Sequence, residues 1–161
     1  MAVIEDSINI KFAGLSDAAE IGSISKNDIE FGLSWKYTPE SVAMLIEDST
    51  RNVVVALAGD KLAGFGIMTY YQDQANLDLL AVKRSYRRMR IGTQIVEWLE
   101  KVACTAGIFN IFVQVRARNT VAIQFYQSVG FAVLGEEKAY YNGIEAAYIM
   151  AKSLRRMFNE G

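Results

Sequence analysis

The chain has no histidine and only one cysteine among its 161 residues. Without histidine, the Ser-His-Asp and Cys-His arrangements of nucleophilic catalysis are excluded, and the commonest metal ligand is missing. The single cysteine, Cys104, excludes an internal disulfide and a cysteine-built zinc site. We therefore predict no bound metal, and any chemistry must rest on Tyr, Lys, Asp, Glu or backbone groups.

The chain also lacks long apolar runs and a dominant charge. No run approaches the roughly 20 apolar residues that a membrane span needs, and the first residues lack the basic and apolar blocks of a signal peptide. The chain has 17 basic and 18 acidic residues, a net charge of −1, which argues against general nucleic-acid binding. We expect a cytoplasmic protein with no nucleic-acid partner and no membrane partner.

Length and composition predict one globular domain. Of the 161 residues, 52% are hydrophobic and 22% are charged, which is enough for a sizeable core but short for two domains. We assign residues 1–152 to a single domain and residues 153–161 to a C-terminal tail.

The first half of the chain predicts a strand, two helices and a strand meander. Alternation predicts a strand at Ile8–Ala13, and a helix over Leu15–Asp28 follows. Thr38 and Pro39 mark the start of a second helix, since threonine caps helices and proline fits the first helical position. That helix runs to about Asp48. The meander then has three strands, with a hairpin at Gly59-Asp60 and its third strand at Ala75–Val82.

The second half predicts two helices and three strands. A long helix follows the meander, with one apolar face formed by Ile91, Ile95, Leu99, Val102 and Ala106. A strand at Ile108–Ala117 is followed by a short helix, which Asn119 caps and Gly130 ends. Two strands joined at Asn142-Gly143 complete the chain. The predicted fold class is α/β, with a mixed, mostly antiparallel sheet of about seven strands and helices on both faces.

The stretch SYRRMRIGTQIVEWLE, which is Ser85–Glu100, predicts an anion site. Unpaired amides at a helix N-terminus and the helix dipole both favour negative charge. The stretch lacks the Gly-Lys-Ser/Thr ending of an NTPase loop and the glycine spacing of a dinucleotide fingerprint. Arg87, Arg88 and Arg90 beside these amides suit a pyrophosphate plus a further phosphate. The alternative is a solvated basic face.

A second stretch, RARNTVAIQFYQSVGF, makes the pattern specific. Together with the arginine turn, it resembles the acetyl-CoA-dependent N-acetyltransferases of the GNAT superfamily. The closest resemblance is to bacterial ribosomal-protein alanine (N-terminal) acetyltransferases. Six residues match the second family motif without a gap: Asn119, Ala122, Phe125, Tyr126, Gly130 and Phe131. The resemblance implies the GNAT fold over nearly the whole chain.

The resemblance implies acetyl-CoA as the cofactor. Its pyrophosphate would bind at the arginine turn, and its pantetheine arm would pair with the strand before it. Arg90 stands where most relatives have glycine, and we expect a helical backbone there, so that its amide can donate. Asn119 would contact the cofactor, cap its helix, or do both. The implied cofactor-binding residues are Leu80, Ala81, Val82, Arg87, Arg88, Arg90, Ile91, Gly92, Thr93 and Asn119.

The resemblance also implies direct acetyl transfer to an amine, without a covalent enzyme intermediate. Tyr126 would be the general acid, since a phenol with a pKa near 10 can protonate a thiolate whose thiol has a pKa near 8.5. Its alternative role is that of a core aromatic. Gln114 occupies the position of a family glutamate and cannot accept a proton, so a water chain, Asp78 or Glu145 would replace it. This absence favours an α-amine or another weakly basic amine.

The acceptor side is less specific than the cofactor side. The tail AYYNGIEAAYIM resembles the ending of protein N-terminal acetyltransferases, which would place Tyr140 and Tyr141 in the acceptor groove. The alternative is a hairpin with aromatic cross-strand pairs. Phe31 and Trp35 would form its apolar wall, and Gln114 would also face the substrate. A protein N-terminal α-amine is the expected acceptor. A small-molecule amine, or a non-catalytic acyl-CoA-binding module, remains as an alternative, and homodimerization is left open.

Overall fold

The computed structural model describes residues 8–26, 37–141 and 145–155. These residues contain seven strands and four α-helices. The strands are β1 Ile8–Phe12, β2 Arg51–Ala58, β3 Lys61–Tyr70, β4 Ala75–Val82, β5 Asn110–Arg116, β6 Ala132–Tyr141 and β7 Glu145–Ser153. The helices are α1 Ala18–Ile24, α2 Pro39–Glu47, α3 Ile91–Thr105 and α4 Thr120–Ser128.

The strands form one mixed sheet in the order β1-β2-β3-β4-β5-β7-β6. The β1–β2, β2–β3, β5–β7 and β6–β7 pairs are antiparallel, whereas β4 and β5 run parallel. A parallel pair needs a crossover connection, and α3 lies in the segment between β4 and β5. The predicted α/β class, the seven strands and the mostly antiparallel sheet are confirmed.

The described residues divide into two compact units. The first comprises the chain through Thr69 together with Leu79–Leu99, and the second comprises Tyr70–Asp78 together with the chain from Glu100 onward.

In the first unit, helices cover both faces of the β2–β3 hairpin. Val53 and Val55 of β2 share a buried cluster with Ile21 of α1 and Val42 of α2. Their neighbour Val54 points to the opposite face, because side chains alternate along a strand. On that face Gly66 lies so close to α3 that a Cβ atom there would be 3.0 Å from Ile95 Cγ2.

Two local start signals are confirmed in this unit. Thr38 Oγ1 accepts a hydrogen bond from the Ser41 amide at 3.1 Å, and Pro39 is the first residue of α2. The predicted hairpin at Gly59-Asp60 is confirmed, and its turn has two residues, since Ala58 pairs with Lys61 across it.

The first predicted helix was too long at its start. Residues Leu15–Asp17 form a 3₁₀ turn, and α1 begins at Ala18. The turn is favoured because the Asp17 carboxylate accepts a hydrogen bond from the Gly14 amide at 2.9 Å. The end predicted for this helix, Asp28, lies outside the described residues, as does the predicted turn at Asn142-Gly143.

The buried face of α3 also differs from its prediction. Ile91, Ile95 and Leu99 are buried as expected, but Val102 is half-buried and Ala106 is exposed and follows the helix end. Val96 and Ala103 are buried instead. A helix has 3.6 residues per turn, so residues spaced by four do not stay on one line along its surface. The buried face therefore includes neighbouring positions such as Val96 and Ala103.

The second unit contains a buried ion pair. Glu100, 2% exposed, accepts from Lys152 Nζ at 2.8 Å, and the same Nζ donates to the Val129 carbonyl at 2.8 Å. The lysine therefore joins the later part of α3, the end of α4 and strand β7.

Candidate active site

The arginine turn lies in the first unit, between β4 and α3. A 3₁₀ turn at Arg84–Tyr86 follows β4, and Arg87, Arg88 and Arg90 are all exposed just before the helix. Arg87 Nε donates to the Val82 carbonyl at 3.1 Å. That bond braces the turn against the end of β4 and concentrates positive charge at the start of α3.

The backbone of this turn corrects the prediction for Arg90. Its φ is +60°, and that of Arg88 is +67°, so both residues are left-handed rather than helical. A non-glycine residue pays for this conformation through crowding of its Cβ. Residue 90 therefore has a backbone conformation that glycine would adopt without this steric cost.

The N-terminus of α3 supplies backbone donors. The first helical bond runs from the Gln94 amide to the Arg90 carbonyl at 3.0 Å. The amides of Ile91, Gly92 and Thr93 precede it, and amides in the first turn have no acceptor within a helix. Ile91 as a whole is only 1% exposed, so a contact with a ligand would come from its amide and not from its side chain. The free amides, the dipole of α3 and the arginine side chains can together bind an anion.

The predicted strand residues before the turn differ in exposure. Ala81 is 6% exposed and belongs to the core of the first unit, whereas Leu80 and Val82 are half-buried. Any ligand contact at Ala81 would thus use its backbone.

In the second unit, α4 has the ends that the sequence predicts. Asn119 Oδ1 accepts from the Ala122 amide at 3.0 Å, which confirms the cap. At the other end, the Gly130 amide donates to the Gln127 carbonyl, and the Phe131 amide donates to the Tyr126 carbonyl. Gly130 has a φ of +101°, as a Schellman ending requires.

Tyr126 is held in place by two aromatic neighbours. Its ring packs edge-on against Phe125 at 5.2 Å and against Phe131 at 5.5 Å between centroids. The side chain is 7% exposed, so it serves as a core aromatic as well. Edge-to-face packing fixes the direction of the ring and hence of its hydroxyl.

Gln114 is half-buried and pairs with a residue that the sequence reading did not select. Its side-chain amide forms two hydrogen bonds with the side-chain amide of Asn76. Asn76 also donates to Asp78 at 2.8 Å. The signal was present in the alternation of polar and apolar residues along β4, which places Asn76 and Asp78 on one face.

Glu145 is bound by two arginines. Arg116 Nε lies 3.1 Å from one carboxylate oxygen and Arg118 Nη2 lies 2.6 Å from the other, with the carboxylate 13% exposed. Accepting a proton would weaken both ion pairs, so Glu145 is poorly suited to act as a base.

The structure describes the predicted acceptor residues only in part. Phe31 and Trp35 lie outside the described residues. Tyr140 and Tyr141 belong to β6, where Tyr141 pairs with Glu145 of β7.

Cys104 is unsuited to form an acyl-enzyme. Burial raises the pKa of its thiol, and the nearby charge of Glu100 raises that pKa further. Both effects disfavour the thiolate, which is the nucleophilic form.

The described residues contain neither a cluster that could hold a metal ion nor a helix that could span a membrane. Within residues 8–26, 37–141 and 145–155, no group of three or more His, Cys, Asp or Glu residues could hold a metal ion. Among the helices of those same ranges, none combines the length and apolar character that a membrane crossing requires.

Comparison with known proteins identifies the family. The model of the acetyltransferase (GNAT) family matches residues 23–131. The chain therefore belongs to the GNAT acetyltransferase family, as the two motifs predicted.

Individual relatives are similar over part of the chain. Ribosomal protein bS18-alanine N-acetyltransferase of Salmonella typhimurium is 35% identical over 97 residues, which are 58% of this chain and 66% of that relative. The chain thus matches about two thirds of that relative's length.

Solved structures share the fold. The ribosomal-protein-S18-alanine N-acetyltransferase of Escherichia coli superimposes with a TM-score of 0.80 at 25% identity, covering 91% of this chain and 94% of the other. The PaiA N-acetyltransferase of Thermoplasma acidophilum, solved in complex with coenzyme A, gives 0.79 at 24% identity, with coverage of 91% and 99%.

Proposed function

We propose that this protein is an acetyl-CoA-dependent N-acetyltransferase that transfers acetyl directly to a protein N-terminal α-amine. The observation that carries the proposal is the arginine turn at the N-terminus of α3, in a chain of the GNAT family. A cytoplasmic location remains a prediction.

On the cofactor side, the pyrophosphate of acetyl-CoA binds the amides of Ile91, Gly92 and Thr93. Arg88 and Arg90 add positive charge beside it, and Arg87 holds the turn through Val82. Charge-assisted hydrogen bonds from arginine to phosphate are among the strongest in proteins. The backbone of β4 at residues 80–82 pairs with the pantetheine arm, and Asn119 caps α4 while contacting the cofactor.

Tyr126 donates the proton that the departing thiolate needs. A phenol has a pKa near 10 and a thiol has one near 8.5, so transfer of a proton from tyrosine to the thiolate is only slightly unfavourable. The transfer becomes easier as negative charge develops on the sulfur. The two aromatic contacts keep the hydroxyl in one direction. Little orientational entropy is therefore lost when the hydroxyl donates its proton.

An N-terminal amine is the favoured acceptor for two reasons. The Salmonella and Escherichia coli relatives are named for acetylating alanine of a ribosomal protein. An α-amine has a pKa near 8, whereas a lysine amine has one near 10.4, so the α-amine needs less help in losing its proton. Gln114, which cannot supply that help, is compatible with such an acceptor. Tyr140 and Tyr141, with Phe31 and Trp35, would line the groove.

Thiol release from acetyl-CoA tests this proposal. Wild type should release thiol with peptides that carry a free N-terminus and not with the same peptides blocked by acetylation. The Tyr126→Phe variant, which keeps the ring and loses the hydroxyl, should lower kcat by about 100-fold and leave acetyl-CoA affinity unchanged.

Other outcomes would contradict the proposal in distinct ways. Turnover with polyamines or amino sugars alone would assign a small-molecule acceptor. Tight acetyl-CoA binding without turnover on any amine would indicate a binding module. An unchanged kcat in Tyr126→Phe would leave that residue with a packing role only.

A further inference from the structure

Gly64 of β3 has no room for a side chain, because the backbone of β4 lies too close. A Cβ atom on Gly64 would be 2.7 Å from the Ala81 carbonyl oxygen and 3.3 Å from Val82 Cα. Carbon atoms pack best at about 3.5–4.0 Å, so a side chain here would collide with main-chain atoms. Gly64 does not have a positive φ, so glycine is required at this position for space and not for its backbone conformation.

The end of β4 is held on two sides. Strands β3 and β4 are neighbours in the sheet, and the Lys83 amide donates to the Ala63 carbonyl at 2.8 Å, next to Gly64 in the sequence. The Val82 carbonyl accepts from Arg87 Nε at 3.1 Å. These contacts fix the end of β4 between strand β3 and the arginine turn.

This end of β4 is the part that the proposed function assigns to the pantetheine arm. The pairing of β4 with β5 runs from Ala75 to Leu77 and so precedes residues 80–82. A strand can pair along both of its edges, and β3 occupies one edge of β4. The pantetheine arm is an extended chain with amide groups, so it can pair along an edge of a strand as a peptide does.

We propose that Gly64 is a positioning residue for acetyl-CoA, because its missing side chain lets the backbone of residues 80–82 lie where it pairs with the pantetheine arm. The inference rests on the proposed N-acetyltransferase function and adds a residue of β3 to its cofactor side. A side chain at position 64 would displace the Ala81 carbonyl and weaken that pairing. The phosphates would keep their sites, since they bind the amides of the first turn of α3.

Gly66 provides a matched comparison in the same strand. Side chains alternate along a strand, so residues 64 and 66 lie on the same face of β3, and both are buried. A Cβ atom on Gly66 would be 3.0 Å from Ile95 Cγ2 and 3.2 Å from Leu99 Cδ1. These atoms are the ends of side chains of α3. Gly66→Ala should therefore crowd the packing of α3 instead of displacing the backbone of β4.

The test measures the affinity of each variant for two ligands by calorimetric titration. One ligand is acetyl-CoA, and the other is 3′-phospho-ADP, the part of acetyl-CoA that remains without the pantetheine arm. Gly64→Ala should bind acetyl-CoA about tenfold more weakly, as the loss of about one backbone hydrogen bond would cause. It should bind 3′-phospho-ADP within about twofold of wild type. Gly66→Ala should bind both ligands like wild type, even if it is less stable.

A second variant covers the case in which Gly64→Ala does not fold. Glycine at position 81 would give the backbone of β4 more freedom to turn its carbonyl away from an added methyl group. Gly64→Ala/Ala81→Gly should therefore fold, and its reference is Ala81→Gly alone. Relative to that reference, it should bind acetyl-CoA about tenfold more weakly and 3′-phospho-ADP equally well. Thermal denaturation checks the folding of each variant.

Four results would overturn the inference. The first is an unchanged affinity of Gly64→Ala for acetyl-CoA, and the second is a double variant that binds acetyl-CoA as tightly as Ala81→Gly. The third is an equal loss for both ligands, which would assign the effect to the arginine turn. The fourth is the same selective loss in Gly66→Ala, which would assign it to core packing.

Failure of the inference differs from failure of the proposed function. In all four results wild type still binds acetyl-CoA and acetylates a peptide with a free α-amine, so the proposed function stands. If wild type itself does not bind acetyl-CoA, the proposed function fails, and the role of Gly64 fails with it.

Discussion

Arg88 and Arg90 carry both charge and backbone strain in the turn that precedes α3. Each has a positive φ, a conformation that costs a non-glycine residue about 1–2 kcal/mol. Strained backbone persists where the surrounding structure enforces it, and it often occurs at binding sites. In the proposed account, the strain is offset by guanidinium groups beside the cofactor phosphates.

Replacing Arg90 by glycine should separate these two effects. Without acetyl-CoA, Arg90→Gly should raise the free energy of unfolding by about 1 kcal/mol, because glycine accepts a φ of +60°. With acetyl-CoA, affinity should fall by about fivefold through the lost charge, and the loss should diminish at high salt. Chemical denaturation and calorimetric titration measure the two quantities.

Arg84→Gly is the matched control for that experiment. Arg84 is exposed and is absent from the residues with positive φ, so the same loss of charge should bring no gain in stability. An Arg90→Gly variant that is less stable than wild type, or that binds acetyl-CoA equally well, would refute the assignment of the turn.

At the scale of elements, Lys152 joins the later part of α3 and the end of α4 to β7. Lys152→Met keeps the aliphatic stem but loses the bonds to Glu100 and to the Val129 carbonyl. Because Glu100 is buried, the variant should lose about 3 kcal/mol of unfolding free energy. Urea denaturation monitored by tryptophan fluorescence measures the change.

Removing both charges should cost less than removing one. In Lys152→Met/Glu100→Gln no buried charge loses its counterion, so part of the stability should return. Lys138→Met is the surface control, since Lys138 is exposed on β6, and it should change stability by under about 0.5 kcal/mol. Equal stability of Lys152→Met and wild type would show that the pair is not important for the fold.

At the scale of the whole molecule, the sequence predicted what depends on local pattern. The observed β4 has the predicted bounds, Ala75–Val82, because Asn76 and Asp78 alternate with apolar residues and a continuous apolar run, residues 79–82, follows them. Helix α4 has its predicted cap at Asn119 and its ending at Gly130, since both signals are local. The family motifs predicted the fold class and the position of the arginine turn.

What the sequence could not predict depends on distant residues or on enforced strain. Asn76 and Gln114 are 38 positions apart and meet only through the β4–β5 register. Glu145 meets Arg116 only through the pairing of β5 with β7. The positive φ of Arg90 runs against the preference of its residue type, so a local reading favours a helical backbone there.

The central claim is that acetyl passes from acetyl-CoA to a protein N-terminal α-amine. The most direct test incubates wild type and acetyl-CoA with a peptide that has a free N-terminus and one internal lysine, and locates the acetyl group by fragment-ion mass spectrometry. The account predicts acetylation of the α-amine and no modification of the same peptide when its N-terminus is blocked. Acetyl found only on lysine, or transferred only to small amines, would contradict it.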